Sequence, residues 1–212
     1  MSGPLLEAAI LACLIARGRS QRAVSLPLLL IALMVPDAVV AAFPRANTWR
    51  FWIVKESIHT VLFLALGLEI AGRAFRRLPG AAQVARRMIA AVVGVTAILV
   101  AAGWAEFAVV SALPRALVGV AWLYTGTFLV MALFSIPVDP LHKAVLLGFA
   151  PYMMVYALTW GQVKSRAGLA VVNIVNPAMF LLALTVLLVA AWRREGEPPA
   201  SREVVRFLWP WR

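Results

Sequence analysis

Long apolar runs alternate with short polar links along the whole chain of 212 residues. Most of the runs approach 20 residues, the length of helix that crosses a hydrocarbon core of ~30 Å. We place the apolar segments at about 3–16, 24–43, 51–72, 88–110, 115–136, 144–163 and 168–191. The pattern predicts an all-α fold, a polytopic bundle of seven transmembrane helices over residues 1–192, followed by a polar tail, 193–212.

The first segment is the weakest of the seven. Pro4 to Ala16 is 13 residues long, and a helix of that length reaches only about 20 Å. Arg17 and Arg19 lengthen it if their side chains snorkel to the headgroups. A bundle of six helices without this segment is the alternative. Because Glu7 lies in the run and the basic cluster follows it, we do not expect the segment to be a cleavable signal peptide.

Composition supports a membrane protein. The chain is 63% hydrophobic with a mean hydropathy of +0.90, more apolar surface than a soluble domain of this size buries. Most cations of the net charge of +11 lie in short links and in the tail. This distribution favours lipid headgroups as partners and argues against nucleic acid. The single cysteine, Cys13, excludes an internal disulfide and a metal site with several cysteines.

The basic residues also predict an orientation. Fourteen Lys and Arg residues fall on the side of the tail and six on the other side. The positive-inside rule therefore places the N-terminus outside and the tail in the cytoplasm. Trp209 and Trp211, flanked by arginines, would anchor that tail at the interface. Arginine outnumbers lysine 17 to 3, as in proteins of GC-rich bacteria, so we expect a multi-pass protein of the bacterial cytoplasmic (inner) membrane.

Polar residues inside the predicted spans concentrate in their outer halves. Such residues cost a few kcal/mol each on insertion scales, so they usually face the bundle interior and often carry function. We predict that they line an outward-facing pocket for a small molecule. Its candidate residues are Asp37, Lys55, Glu56, His59, Glu106, Tyr156, Asn173 and Asn176. The alternative is that they serve structure, pairing with each other or, for the two asparagines, satisfying a helix kinked at Pro177.

The third segment carries a polar stripe. Its members follow one another at spacings of 4, 3, 4, 3 and 4, so they share one helix face: Lys55, His59, Leu62, Leu66, Glu69 and Arg73. Glu69 and Arg73 are spaced for an ion pair at the inner boundary. Glu56 flanks the stripe within reach of His59. Asp37, directly after Pro36, is expected either to serve the break at that proline or to pair with Lys55.

No pattern in the chain indicates a cofactor, a metal or a catalytic set. Glu56 and His59 have the spacing used in di-iron bundles, but those sites need two such motifs and further carboxylates. His59 and His142 lie at opposite ends of their spans, which is poor geometry for a haem. The last segment has no lysine for retinal. An intramembrane enzyme is accordingly the least favoured class.

From Trp49 to Gly80 the chain carries aromatics, Glu56, Glu69 followed by Ile70, Phe75, and a Pro-Gly pair. In these features it resembles short, uncharacterised seven-helix membrane proteins of acidobacteria, which are similar to membrane input modules of sensor kinases. Lys55 and His59 depart from that pattern. The resemblance implies a receptor without naming its ligand.

We therefore expect a sensor or receptor-like module whose signal is read by a separate protein partner in the membrane or at the cytoplasmic face. A small transporter or permease is the first alternative, although it would need polar groups nearer the midplane. A non-catalytic subunit of a larger membrane complex is the second.

Overall fold

The regular structure of the described part of the chain is entirely helical. The computed structural model describes residues 2–75, 105–133, 136, 138–160 and 166–193, without the side chains of 2, 22, 105–114, 160, 166–169 and 171. Six α-helices lie in these ranges: α1 (Ser2–Ala16), α2 (Ser25–Ala42), α3 (Trp49–Ala74), α4 (Ala105–Leu133), α5 (Pro140–Trp160) and α6 (Arg166–Trp192). Short 3-10 helices, Ser20–Arg22 and Pro44–Ala46, precede α2 and α3.

Five of these helices, α2 to α6, are long and apolar enough to span a membrane, whereas α1 is a shorter apolar helix. This indicates a multi-pass membrane protein. The helices lie at the predicted apolar segments with bounds shifted by up to four residues, and there is one larger difference. Residues 105–114 continue into the rest of α4, where the sequence suggested a link between 110 and 115. Most of the predicted segment 88–110, and the tail from residue 194, lie outside the described residues.

The six helices pack in a closed ring. Each packs against the helix before and after it in the described order, and α6 packs against α1. The guanidinium of Arg19, just after α1, donates to the carbonyl oxygens of Ala190 and Arg193 at 2.9 and 2.7 Å. A cation at the end of α6 is favoured because it meets the negative pole of that helix and its unpaired carbonyls. Arg19 therefore holds the two ends of the ring together.

The bundle has two distinct ends. We call the end at which α1 stops the Arg19 end, and the opposite end, at which α3 begins, the Trp49 end. The helices α5 and α6 are antiparallel, since Tyr152 contacts Phe180 while Gly148 faces Ala183. α2 and α3 are antiparallel too, since Glu69 bonds Ser25 while Lys55 pairs with Asp37. α3 therefore finishes at the Arg19 end. The described part of α4 starts at the Trp49 end and leads through a short link into α5.

Glu69 fixes the start of α2 from the neighbouring helix. Its carboxylate accepts hydrogen bonds from the backbone N–H groups of Val24 and Ser25 at 3.0 and 2.9 Å. The same group forms an i,i+4 ion pair with Arg73 at 2.6 Å. A carboxylate at a helix N-terminus satisfies donors that have no partner within the helix and meets the positive pole of the helix dipole. Glu69 thus links α3 to α2 as well as to Arg73.

The start of α5 follows from its sequence. Asp139 accepts a hydrogen bond from the backbone N–H of Leu141 at 2.8 Å, and Pro140 occupies the first helical position. An acidic cap followed by proline is a favoured way to begin a helix, because proline lacks the N–H that would be unpaired there. The helix therefore begins four residues before the predicted apolar segment 144–163.

Three aromatic rings form the centre of the bundle between α3, α4 and α5. Phe149 packs edge-on against Phe63 and Tyr124, with centroids 5.1 and 6.3 Å apart. The hydroxyl of fully buried Tyr124 donates to the backbone carbonyl of Phe63 at 3.0 Å. Gly67, one turn further along α3, leaves room for the Tyr124 ring. This close approach sets how near α3 lies to α4.

Replacing Gly67 by alanine should destabilise the protein. The added Cβ would lie 2.8 Å from Cε2 of Tyr124 and 2.9 Å from Cδ2 of Leu123. Because the buried ring has no room to move, we expect a loss of about 1–3 kcal/mol, measured as a lower melting temperature in detergent. Gly72→Ala is the matched control on the same helix, since its Cβ would meet nothing within 4 Å. Equal effects of the two substitutions would contradict this account.

Candidate functional site

The polar stripe of α3 faces α2. From the Trp49 end to the Arg19 end, Lys55, His59 and Glu69 each contact α2 or the residue before it, at three successive levels. A single polar face therefore bonds one neighbouring helix along most of its length. The spacing indicated this face, but which helix it would meet is a matter of packing order and not of sequence.

His59 repairs a gap that Pro36 leaves in α2. In an α-helix the carbonyl of Ala32 would accept from the N–H of residue 36, which proline lacks. Nε2 of His59 donates to that carbonyl oxygen at 3.0 Å. The imidazole is 8% exposed, so the bond is made inside the bundle, where an unpaired carbonyl is costly. His59 consequently has a structural contact with α2, and Asp37 does not serve this break.

Asp37 and Lys55 form a loose ion pair one turn nearer the Trp49 end. Nζ of Lys55 lies 3.9 Å from Oδ1 of Asp37, and the two side chains are 28% and 55% exposed. An accessible pair at this distance contributes little to stability. The pair lies in a groove of about 410 Å³ between the ends of α2 and α3. Its lining residues are Pro36, Asp37, Val40, Ala41, Asn47, Phe51, Trp52 and Lys55.

Glu56 points to another part of the bundle. Because successive residues of a helix are turned by about 100°, the neighbour of Lys55 faces α5 and not α2. Oε2 of Glu56 accepts a hydrogen bond from the hydroxyl of Tyr156 at 2.9 Å. The ring of Tyr156 stacks on Tyr152, with centroids 5.8 Å apart and planes 14° from parallel. Glu56 and Tyr156, both predicted site residues, therefore meet across the interface of α3 and α5.

The two asparagines of α6 have different environments. Asn176 is buried, and its side-chain oxygen lies 2.9 Å from Oγ1 of Thr159 on α5. Asn173 is exposed on the outside of the helix. Asn173 is not among the residues that line the groove with Asp37. Glu106 lies in α4, and its side chain is outside the part of the chain that the structure describes.

A carboxyl that the sequence analysis left out of the site lies beside this cluster. Glu7 of α1 is 3% exposed, and its Oε2 atom is buried without a hydrogen-bond partner. The charged residues Asp37 and Lys55 are close enough to interact with it electrostatically. An unpaired carboxyl in an apolar interior is costly, which usually marks a functional group in a membrane helix. A lone glutamate within an apolar run was the signal for it.

The bond between His59 and the Ala32 carbonyl makes a testable prediction. His59→Leu should cost about 1–3 kcal/mol, because it leaves a buried carbonyl without a donor. In a Pro36→Ala background the backbone N–H returns, so the same substitution should cost less, with a coupling of about 1 kcal/mol or more. Unfolding of the four proteins in mixed micelles measures this cycle. Additive effects would mean that the histidine does not compensate for the proline.

The polar residues at the Trp49 end thus form separate contacts that lie near one another. Asp37 and Lys55 line a groove, with Glu7 buried near them. Glu56 and His59 bond other helices, and His59 also interacts electrostatically with Asp37, Lys55 and Glu56. Among the described residues no three His, Cys, Asp or Glu side chains are grouped closely enough to hold a metal ion. Comparisons of the chain with protein-family models, with curated proteins and with solved structures each yield no match.

Proposed function

We propose that this protein is a small receptor-like module that binds a small molecule in the groove between α2 and α3. The observation that carries the proposal is a groove with a loosely paired carboxylate and ammonium on its wall. Its volume of about 410 Å³ falls in the usual range for small-molecule sites. Both charged groups are accessible, so a ligand can replace either partner of the ion pair.

Binding in this groove would change the packing of α2 against α3. The groove lies within one or two turns of the Pro36 break and of the His59 contact, so a ligand that separates Asp37 from Lys55 acts on the same interface. A ligand shifts a conformational equilibrium only by its difference in affinity for the two states. We propose that the shift is read at the Arg19 end by a separate protein, in keeping with the resemblance to input modules of sensor kinases.

The geometry favours a receptor over a transporter. A carrier exposes its polar site alternately to both sides, usually near the midplane. Among the described residues, the charged groups of α3 at the Arg19 end, Glu69 and Arg73, are bonded to each other and to the start of α2. The groups with access to the groove belong to the Trp49 end. A subunit role in a larger complex is the alternative that a failure to bind any ligand would favour.

We also propose that the chain is a bundle of seven helices in a bacterial cytoplasmic membrane, with the Trp49 end outside. The charge count supports this orientation. The last residues of α3 and the first described residues of α4 lie at opposite ends of the bundle, as a further crossing between them would produce. The groove would then open to the outside, and a protein partner would meet the cytoplasmic face.

Cysteine labelling tests the orientation. In a Cys13→Ala background, Ala46→Cys lies in the link before α3 at the Trp49 end, and Gln21→Cys lies in the link before α2 at the Arg19 end. We expect a membrane-impermeant maleimide to label position 46 in intact bacterial spheroplasts and position 21 only after lysis. The reverse pattern would invert the topology, and labelling of both in intact spheroplasts would mean that α2 does not cross.

Filling the groove tests the function. We expect at least one class of small soluble molecule, in a set of cations, anions, zwitterions and neutral compounds, to raise the melting temperature of the purified protein. Ala41→Trp should abolish the shift because Ala41 lines the groove, whereas Ala42→Trp, on the next residue of α2, should not. Asp37→Asn should weaken it. A shift that survives in the Ala41→Trp protein would place the binding site elsewhere.

A further inference from the structure

Among the described side chains that line the groove or interact electrostatically with Asp37, Lys55 or His59, carboxyl groups outnumber ammonium groups. Asp37 and Glu7 supply two carboxyl groups, Glu56 supplies a third beside His59, and Lys55 supplies one ammonium group, 3.9 Å from Asp37. The hydroxyl of Tyr156 donates to Glu56, which leaves Glu7 and Asp37 facing one lysine. This acidic excess lies inside a protein with a net charge of +11. A ligand that neutralises it would carry positive charge.

Glu7 is the independent sign of a ligand. The residue is 3% exposed and its Oε2 atom has no donor, although the groove residues Asp37 and Lys55 interact with it electrostatically. A structural carboxyl in an apolar interior normally finds a donor or a cation, because an isolated one is costly. Here the nearby negative charge of Asp37 adds to the cost. A second cation beside Lys55 would remove both unfavourable interactions.

Aromatic rings complete the wall of the groove. Phe51 and Trp52 line it on the α3 side, and the side chains of Val40 and Ala41 line it on the α2 side. The face of an aromatic ring attracts an ammonium group, most strongly for tryptophan. The same surface would cover the apolar body of a ligand. An anionic ligand would meet Lys55 but would also meet the carboxyl groups behind it.

We propose that the groove binds a compact organic amine, with its ammonium group held by Asp37, its apolar body on Phe51 and Trp52, and the buried carboxyl of Glu7 beyond the ion pair as an electrostatic partner. The proposal rests on the function proposed above and names the class of its ligand. A free amine and the ethanolamine headgroup of a phospholipid share this chemistry.

Three small molecules of similar shape but different charge distinguish the effect of ligand charge on binding from the effect of ligand shape. We would measure the binding of 2-phenylethylamine, 2-phenylethanol and phenylacetate to the full chain in an uncharged detergent by isothermal titration calorimetry. We expect the amine to bind at least tenfold more tightly than the alcohol and the acid. If the alcohol or the acid binds as well and Ala41→Trp abolishes that binding, the groove is a ligand site but not an amine site. If none of the three binds, the amine proposal is overturned.

Substitutions at the two carboxyl groups test their roles. Asp37→Asn and Glu7→Gln should each weaken amine binding about tenfold or more, while 2-phenylethanol binding stays unchanged. Glu7→Gln should also raise the melting temperature of the ligand-free protein, since it removes a buried unpaired carboxyl. Asp139→Asn is the control, because it removes one negative charge at the Arg19 end and asparagine still caps α5. An unchanged amine affinity in Glu7→Gln would remove Glu7 from the site.

Lipid composition distinguishes the two sources of the amine. Nanodiscs of phosphatidylglycerol alone should leave the groove free for 2-phenylethylamine. If added phosphatidylethanolamine weakens the binding of the amine in wild type and does not change the residual affinity of Asp37→Asn, the headgroup is a ligand of the groove. If it has no effect, the groove takes a free amine.

Discussion

The missing N–H of Pro36 constrains the packing around it. Inside a bilayer a backbone carbonyl has no water to bond, so the free oxygen of Ala32 requires a donor from another helix. His59 supplies it, and this contact fixes the rotation of α3 about its own axis. Lys55 lies one turn before His59 on the same face, and Asp37 lies just over one turn beyond Ala32 on the antiparallel helix. The groove and its ion pair therefore follow from the repair of the proline break.

The same rotation explains why the predicted pocket residues do not all meet. Once Lys55 and His59 face α2, Glu56 is turned by about 100° and faces α5, where Tyr156 bonds it. The interior at the Trp49 end is thus divided by α3 into two adjoining regions. One region is the groove, on the side of α2. The other contains the stacked rings of Tyr152 and Tyr156, on the side of α5. Electrostatic interaction crosses the helix, but a single ligand in the groove touches only one of the two regions.

The sequence predicted the helices well, because an apolar run bounded by charge has only one stable form in lipid. The polar stripe of α3 could also be predicted from the sequence, since helical spacing alone defines a helix face. Two contacts could not be predicted. His59 bonds the backbone of Ala32, and Glu69 bonds the backbone of Val24. In both contacts a side chain meets a backbone group of a neighbouring helix, and the position of that helix depends on packing. The burial of Glu7 was not predictable, because a lone glutamate in a short apolar segment has no helical spacing to a partner that would place it in the interior.

Two glutamates of this chain show what separates a structural carboxyl from one that awaits a ligand. Glu69, at the Arg19 end, accepts from two backbone N–H groups and from the guanidinium of Arg73, so its charge is satisfied by the protein itself. Glu7, nearer the Trp49 end, is more deeply buried and has an oxygen with no donor, close to a second carboxylate. Glutamine or an apolar residue at position 7 would give a more stable bundle, because either avoids the cost of the unpaired carboxyl. A positive charge that arrives from outside the chain would satisfy Glu7 in the way that Arg73 and two backbone N–H groups satisfy Glu69, and the groove beside Asp37 is where the described residues leave room for it.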